Sequence, residues 1–178
     1  MRRRFLLSLF AGVTAVGLSL SAAAPAAAQT PDEIIKRGKL VVAIDTTTPP
    51  YASLDSNNQP VGYDIDVANL IAKRLKVPLE FVTVNSPGRI PALLSNRVDM
   101  VISIFSITAE RALQVQFSIP YGGQSAVLVA PKALNAKQPS DLKGLKVGVT
   151  RGALEDGALT QMNIEGLTIL RFDDYPST

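Results

Sequence analysis

The chain has 178 residues, with 18 Lys plus Arg against 15 Asp plus Glu, and it contains no His, Cys or Trp. Without His or Cys it has no Ser-His-Asp or Cys-His nucleophile, no His or Cys zinc site and no disulfide framework. Three of the basic residues are Arg2, Arg3 and Arg4; the rest of the chain is formally neutral, which argues against a nucleic-acid or membrane-surface binder.

Residues 1–28 read as an export signal. Three arginines precede an apolar stretch from Phe5 to Leu20, and Ala26-Ala27-Ala28 supplies an A-x-A cleavage pattern before Gln29. A membrane anchor is the alternative, because the uncharged length from Phe5 to Ala28 would span a bilayer. Pro25, the small residues around it and the lack of a following basic cluster favour cleavage. Arg3-Arg4-Phe5-Leu6 resembles a twin-arginine signal, as any basic leader can, so the export route stays open. No Cys stands at the cleavage point for a lipid anchor. The expected destination is a bacterial periplasm.

Thr30-Pro31-Asp32-Glu33 is a capping box with Pro at the first helical position, and Gly38 is a natural stop, so a short helix is predicted between them. The unbroken apolar run Leu40 to Ile44 predicts a strand buried on both faces. Asp45 to Pro60, rich in Thr, Pro and Asn, predicts a loop. Gly62-Tyr63-Asp64 opens a helix whose Ile65, Ala68, Ile71, Ala72 and Leu75 share one face. Strands are predicted at 78–84 and 100–104, with a helix at 87–96 that is kinked or begun late at Pro91. Strand, helix, strand, helix, strand makes two βαβ units, hence a parallel sheet in an α/β fold.

A second unit is predicted from Tyr121 onward, with strands at 125–130, 145–149 and 167–172, a capped turn at 140–144 and a helix near 153–163. So few strands with an open edge make a poor core, and this unit reads as incomplete. The expected division is 1–28 signal peptide, 29–121 first lobe and 122–178 incomplete second lobe.

In open α/β sheets, ligands bind beyond the carboxyl ends of the strands. Asp45 follows the first strand, and Ser103, Phe105 and Ser106 end the third. Thr108 is placed to cap the helix that carries Arg111, whose planar fork of donors suits a carboxylate. Thr150-Arg151-Gly152 precedes a helix N-terminus, where free N–H groups favour an anion. Each has a plainer reading: Asp45 as a turn cap, Ser106 and Thr108 as N-caps, Arg111 as a surface ion pair. Asp64 and Asp66 suggest a metal pair only weakly, since acidic residues are ordinary in a first helical turn. Asp173 and Asp174 read as a solvated charge pair. No metal or cofactor is expected, and no phosphate-binding Gly-rich loop occurs.

Gly62-Tyr63-Asp64-Ile65-Asp66-Val67-Ala68-Asn69-Leu70-Ile71-Ala72 resembles the signature segment of the family 3 extracellular solute-binding proteins, the amino-acid receptors of ABC importers. The resemblance continues through Arg89 to Leu94, Val98 to Val101, Ser106 to Arg111, Phe117 to Tyr121 and Leu142 to Val149. Val149 to Asp156 is similar to the amino-acid-binding branch. It implies a periplasmic-binding-protein type II architecture: two α/β lobes, joined by a hinge, closing over one small ligand. By resemblance, Arg111 would hold the ligand α-carboxylate, helped by backbone N–H groups near Ser106, Ala153 and Leu154, with Thr150 leading into that turn. The carbonyl around Ser103 or Ile104 would accept from the α-ammonium, and Asp45 would lie near the ligand side chain. The implied partners are an amino acid or similar small carboxylate and an ABC permease, with the receptor a monomer.

Departures from the family pattern leave the ligand open. Thr48 stands where the family often has an aromatic, Ser86 occupies a second aromatic position, and Ala153 replaces a small hydroxyl residue. The family also draws a carboxylate for the α-ammonium from a later strand, which leads to the expectation that this sequence is a fragment with impaired binding. An enzymatic alternative is a periplasmic cyclohexadienyl (prephenate or arogenate) dehydratase on the same scaffold, with Glu155 as the candidate general acid. A ligand-sensing module of a membrane signalling protein is less consistent with a cleavable leader.

Overall fold

The computed structural model describes residues 30–178, so the expected signal segment lies outside the described residues. Helix α1 (Pro31–Arg37) starts at the capping box: Thr30 Oγ1 accepts the Glu33 N–H at 3.4 Å, and the Glu33 carboxylate accepts the Thr30 N–H at 2.7 Å. The Thr30 N–H, and then the Thr30 hydroxyl that donates to the same carboxylate at 3.1 Å, hold the Glu33 carboxyl below its ordinary pKa. Gly38 adopts the left-handed conformation at φ 82° and donates its N–H to the Ile34 and Ile35 carbonyls, ending the helix.

Strand β1 (Leu40–Ile44) buries all five of its residues. Leu40, Val42 and Ile44 join a cluster with Ile34, Ile65, Ala68 and Ala72, whereas Val41 and Ala43 join another with Val84, Ala92 and Val98. The split follows the two-residue period of a strand, so β1 has a core on each face. Each of its fully buried aliphatic side chains contributes roughly 1.5–3 kcal/mol of hydrophobic stabilisation.

The predicted loop after β1 holds a small antiparallel hairpin, β2 (Ser53–Leu54) with β3 (Pro60–Val61). Asp55 closes its turn by accepting the N–H groups of Asn57 and Gln59, both at 2.8 Å. Helix α2 (Tyr63–Leu75) follows Gly62, whose φ of 127° and close packing require glycine: a Cβ there would stand 2.4 Å from the Tyr51 carbonyl oxygen.

Strand β4 (Leu79–Thr83) pairs in parallel with β1 from Leu40 opposite Leu79 to Ile44 opposite Thr83. A 3-10 turn at Ser86–Gly88 leads into α3 (Arg89–Leu94). Strand β5 (Met100–Val101) then pairs in parallel on the other side of β1, giving the order β4-β1-β5. The third strand is shorter than the predicted 100–104. Ile104 turns to φ 34°, and its N–H leaves the ladder to donate to the Asp64 carboxylate at 3.1 Å.

Helix α4 (Ala109–Ala112) is capped by Thr108, whose Oγ1 accepts the Arg111 N–H at 3.2 Å. After a 3-10 turn at Pro139–Leu142 come β6 (Lys146–Thr150), α5 (Leu154–Met162) and β7 (Thr168–Phe172). The two strands pair in parallel over their full length. The strand predicted at 125–130 is not formed. Val127 and Val129 are exposed, and β propensity cannot by itself supply the neighbouring strand that a ladder needs. Among the described residues, no helix is long and apolar enough to cross a membrane.

Candidate functional site

The carboxyl ends of β1, β4 and β5 deliver Asp45, Ser86 and Ser103 to one end of the first sheet, and all three are buried. Asp45 does act as a turn cap. Its Oδ1 accepts the Thr47 N–H at 3.1 Å and the Thr47 hydroxyl at 2.6 Å, and Thr48 Oγ1 donates to its carbonyl at 2.9 Å. The other carboxylate oxygen stands 3.5 Å from Nη2 of Arg89. Arg89 opens α3 and is 1 % exposed, a cost that unsatisfied burial makes large.

Neither Nε nor Nη2 of Arg89 makes a hydrogen bond, so the Asp45 contact is an ion pair without hydrogen-bond geometry. The hydroxyls of Ser86 and Ser103 are also buried without partners. Sequence reasoning did not place Arg89 among the binding residues. The available signal was a lone cation at the head of the apolar run Ile90 to Leu94.

Arg111 lies nearby. Its guanidinium carbon stands 4.7 Å from the centre of the Phe105 ring, and that of Arg89 stands 5.6 Å from the same centre. Arg111 Nη1 donates to the Ser106 carbonyl and Nη2 to the Gly152 carbonyl, both at 2.9 Å. The second bond ties the segment after β5 to the turn before α5. That turn also packs on the residues after β4, because a Cβ on Gly152 would meet Pro87 at 3.4 Å. Burial first, and then the like charge of Arg89, pull the Arg111 pKa down. Among the described residues, no carboxylate forms an ion pair with Arg111.

The expected anion site before α5 is partly filled by the chain itself. Asp156, in the first turn of α5, accepts the Gly152 N–H at 3.0 Å and the Arg171 Nε–H at 2.7 Å. The Ala153 N–H donates to the Thr150 carbonyl at 3.1 Å, and the Thr150 hydroxyl pairs with that of Thr178 at 3.0 Å. Leu154 begins α5 and is partly exposed. The structure thus gathers Asp45, Ser103, Ser106 and Arg111 at one end of the sheet, brings Gly152 against Arg111, and gives the Thr150 hydroxyl and the Ala153 N–H internal partners.

Asp64 is not an ordinary exposed first-turn acid. It is fully buried and accepts the Tyr121 hydroxyl at 3.0 Å as well as the Ile104 N–H, whereas Asp66 is exposed. Burial raises the Asp64 pKa, and burial beside that carboxylate raises the Tyr121 pKa. Among the described residues, no group of three or more acidic side chains could hold a metal ion. A groove of about 710 Å³ runs beside β5 between Ile71, Leu93, Met100 and Phe117, but it shares only Ile104, Phe105, Ser106 and Leu154 with the polar cluster. Asp64, Asp99, Asn96 and Tyr121 also line it, but no lysine or arginine does, so it offers a ligand carboxylate no charge partner.

A family profile described as bacterial extracellular solute-binding proteins, family 3, matches residues 40–164. ABC transporter arginine-binding protein 1 of Escherichia coli is 34% identical over 137 residues, which is 77% of this chain and 56% of that protein. The L-cystine-binding protein TcyJ of the same species is 31% identical over 148 residues, 82% of this chain and 55% of that protein. The chain therefore spans about half the length of these curated relatives. Among solved structures, holo ArgBP from T. maritima superposes with a TM-score of 0.74 at 37% identity, covering 82% of this chain and 65% of that one. The ancestral amino acid-binding protein AncCDT-1, a precursor of cyclohexadienyl dehydratase, superposes with a TM-score of 0.75 at 37% identity, covering 84% of this chain and 67% of that one.

Proposed function

This chain belongs to the bacterial extracellular solute-binding proteins, family 3, and from that premise we propose that it serves as a periplasmic receptor that captures an amino acid for an ABC permease. Its α/β fold is that of the type II periplasmic binding proteins. In this reading 29–121 contributes the first lobe and 122–178 part of the second, behind a cleaved leader at 1–28. The ligand α-carboxylate binds Arg111, with Ser106 and the Ala153–Leu154 turn around it, and the ligand's ammonium faces the Ser103–Ile104 carbonyls.

The observation that carries the proposal is the state of Arg111. A half-buried guanidinium spends two donors on neutral carbonyls, Ser106 and Gly152, that belong to opposite sides of the site. A carboxylate is a stronger acceptor than either and would replace these bonds with a two-pronged ion pair. The arginine, cystine and amino-acid binding named for the relatives fits a ligand that brings such a carboxylate. Binding without turnover is the proposed activity.

Titration of the 15N-labelled protein with millimolar amino acids, read at the Arg111 side-chain resonance, tests the reading. Arg111 is expected to shift with an amino acid and not with the corresponding amine lacking the carboxylate. Equal shifts with both would overturn it. Conversion of prephenate or arogenate by the same protein would favour the dehydratase reading.

A further inference from the structure

We propose that two copies of this chain pair by strand exchange: residues 125–130 of each copy add to the free edge of β5 in the other and fill the groove beside it. The inference goes beyond the receptor reading and uses none of the polar cluster. It replaces the monomer that the family resemblance implies.

Strand β5 has a neighbour on one side only, β1. Met100 and Val101 line the groove of about 710 Å³, together with Ile71, Leu93, Ile102 and Phe117. An unpaired edge is a template for another strand, and proteins often blunt it with lysine. No lysine lines this groove, and Asp99 at the head of β5 is taken up by Arg37 and the Val41 N–H. The chain also carries a strand without a partner. Ser125-Ala126-Val127-Leu128-Val129-Ala130 has strand composition, yet all six residues are exposed, Val129 at 89 %. Among the described residues, no backbone hydrogen bond joins any of 122–130 to the rest of the chain. Apolar side chains and unpaired peptide groups are two costs that one strand pairing removes.

Position and charge favour a second copy as the occupant. Residues 114–124 form one wall of the groove, so 125–130 leaves directly from its mouth. To enter its own groove the strand would have to double back along the wall that it continues. A copy related by a two-fold axis needs no such reversal. Tyr121 is fixed by Asp64 at 3.0 Å, and Gly122-Gly123 then frees the strand from its own body. The exchange is reciprocal, because each copy gives one strand and receives one, so the pair closes instead of growing into a filament. Beyond Arg2, Arg3 and Arg4 the chain is formally neutral, and two copies meet without net repulsion.

Analytical ultracentrifugation of the purified protein over a wide concentration range, with hydrogen exchange at the 125–130 amides, tests the pairing. A monomer–dimer equilibrium is expected, with those amides protected in the dimer and open in the monomer. Because the chain has no Cys, a spin label on Val129→Cys is unique. Mixed with 15N-labelled parent protein that carries no spin label, it should broaden the Met100 and Ile102 amides of the other copy. Val129→Lys carries a charge into the groove and should weaken the dimer by at least about tenfold. At high dilution it should leave the stability of the single chain unchanged, because 125–130 packs on nothing of its own, so loss of pairing is not loss of fold. A monomer at every concentration overturns the proposal. A monomer with 125–130 protected also overturns it, since the strand then closes on its own groove, as does a monomer whose mass shows another molecule bound there. A dimer in which the spin label leaves β5 untouched pairs through a different face and overturns it too. None of these outcomes bears on Arg111, so the receptor reading stands or falls by its own titration.

Discussion

Tyr121 donates its hydroxyl to the carboxylate of Asp64 across 57 residues of sequence, at 3.0 Å. The same carboxylate takes the N–H that Ile104 withholds from the sheet. One buried acid on α2 thus fixes where β5 stops and where the following segment returns over the first helix, reinforced by the stacking of Tyr63 on Tyr121.

The consequence is a defined pH dependence. Burial raises the Asp64 pKa above its usual value near 3.8, so the folded state holds that proton more tightly than the unfolded state. Stability from this group is therefore present at low pH and lost as pH rises through the window above 3.8. Asp64→Asn should remove that slope in denaturant titrations run from pH 4 upward. Asp64→Ala should cost roughly 1–3 kcal/mol by leaving the Ile104 N–H and Tyr121 hydroxyl without their acceptor.

Gly62 should tolerate no side chain. Gly62→Ala combines a φ of 127° with a Cβ placed 2.4 Å from the Tyr51 oxygen. The expected loss is about 3 kcal/mol or more, measured as a lower urea midpoint, or failure to accumulate folded protein.

Arg111→Lys should keep the charge and lose the fork. A lysine cannot reach the Ser106 and Gly152 carbonyls with two fixed donors, so binding of any amino acid should weaken by about tenfold or more. Retention of full affinity in the titration would show that the two-pronged geometry is dispensable.

Two aliphatic residues in strand-like sequence should respond very differently. Ile44, with no exposed surface in β1, should cost about 2–5 kcal/mol when cut to Ala. Val127, 78 % exposed in the segment that forms no strand, should change stability by less than about 0.5 kcal/mol. Equal losses at high dilution would mean that 125–130 packs within the single chain.

These contrasts show what residue order can and cannot reveal. Leu40 to Ile44 was legible because every position is apolar, which fits only a strand covered on both sides. The Thr30 and Thr108 caps were legible because they depend on neighbours a few residues away. The segment 125–130 has the same local signal but depends on a partner strand elsewhere, and local pattern carries no information about that. Within the site, the Thr108 cap that places Arg111 was legible, whereas its binding role was suggested only by the family resemblance. Arg89 was hidden, since its burial depends on Asp45 and Phe105, both distant in sequence. Asp64 was misleading for a related reason: helix-start statistics describe exposed acids, and this one is enclosed by Tyr121 and Ile104.

The alternation of β1 between two cores has a bearing on how recognition can evolve. Sliding that strand by one residue would exchange the contents of both cores, so its register is locked by the packing on both faces. Asp45 sits immediately beyond Ile44, and its reach to Arg89 is set by that same lock. The interior thus acts as the ruler against which the position of Asp45 at the end of β1 is measured.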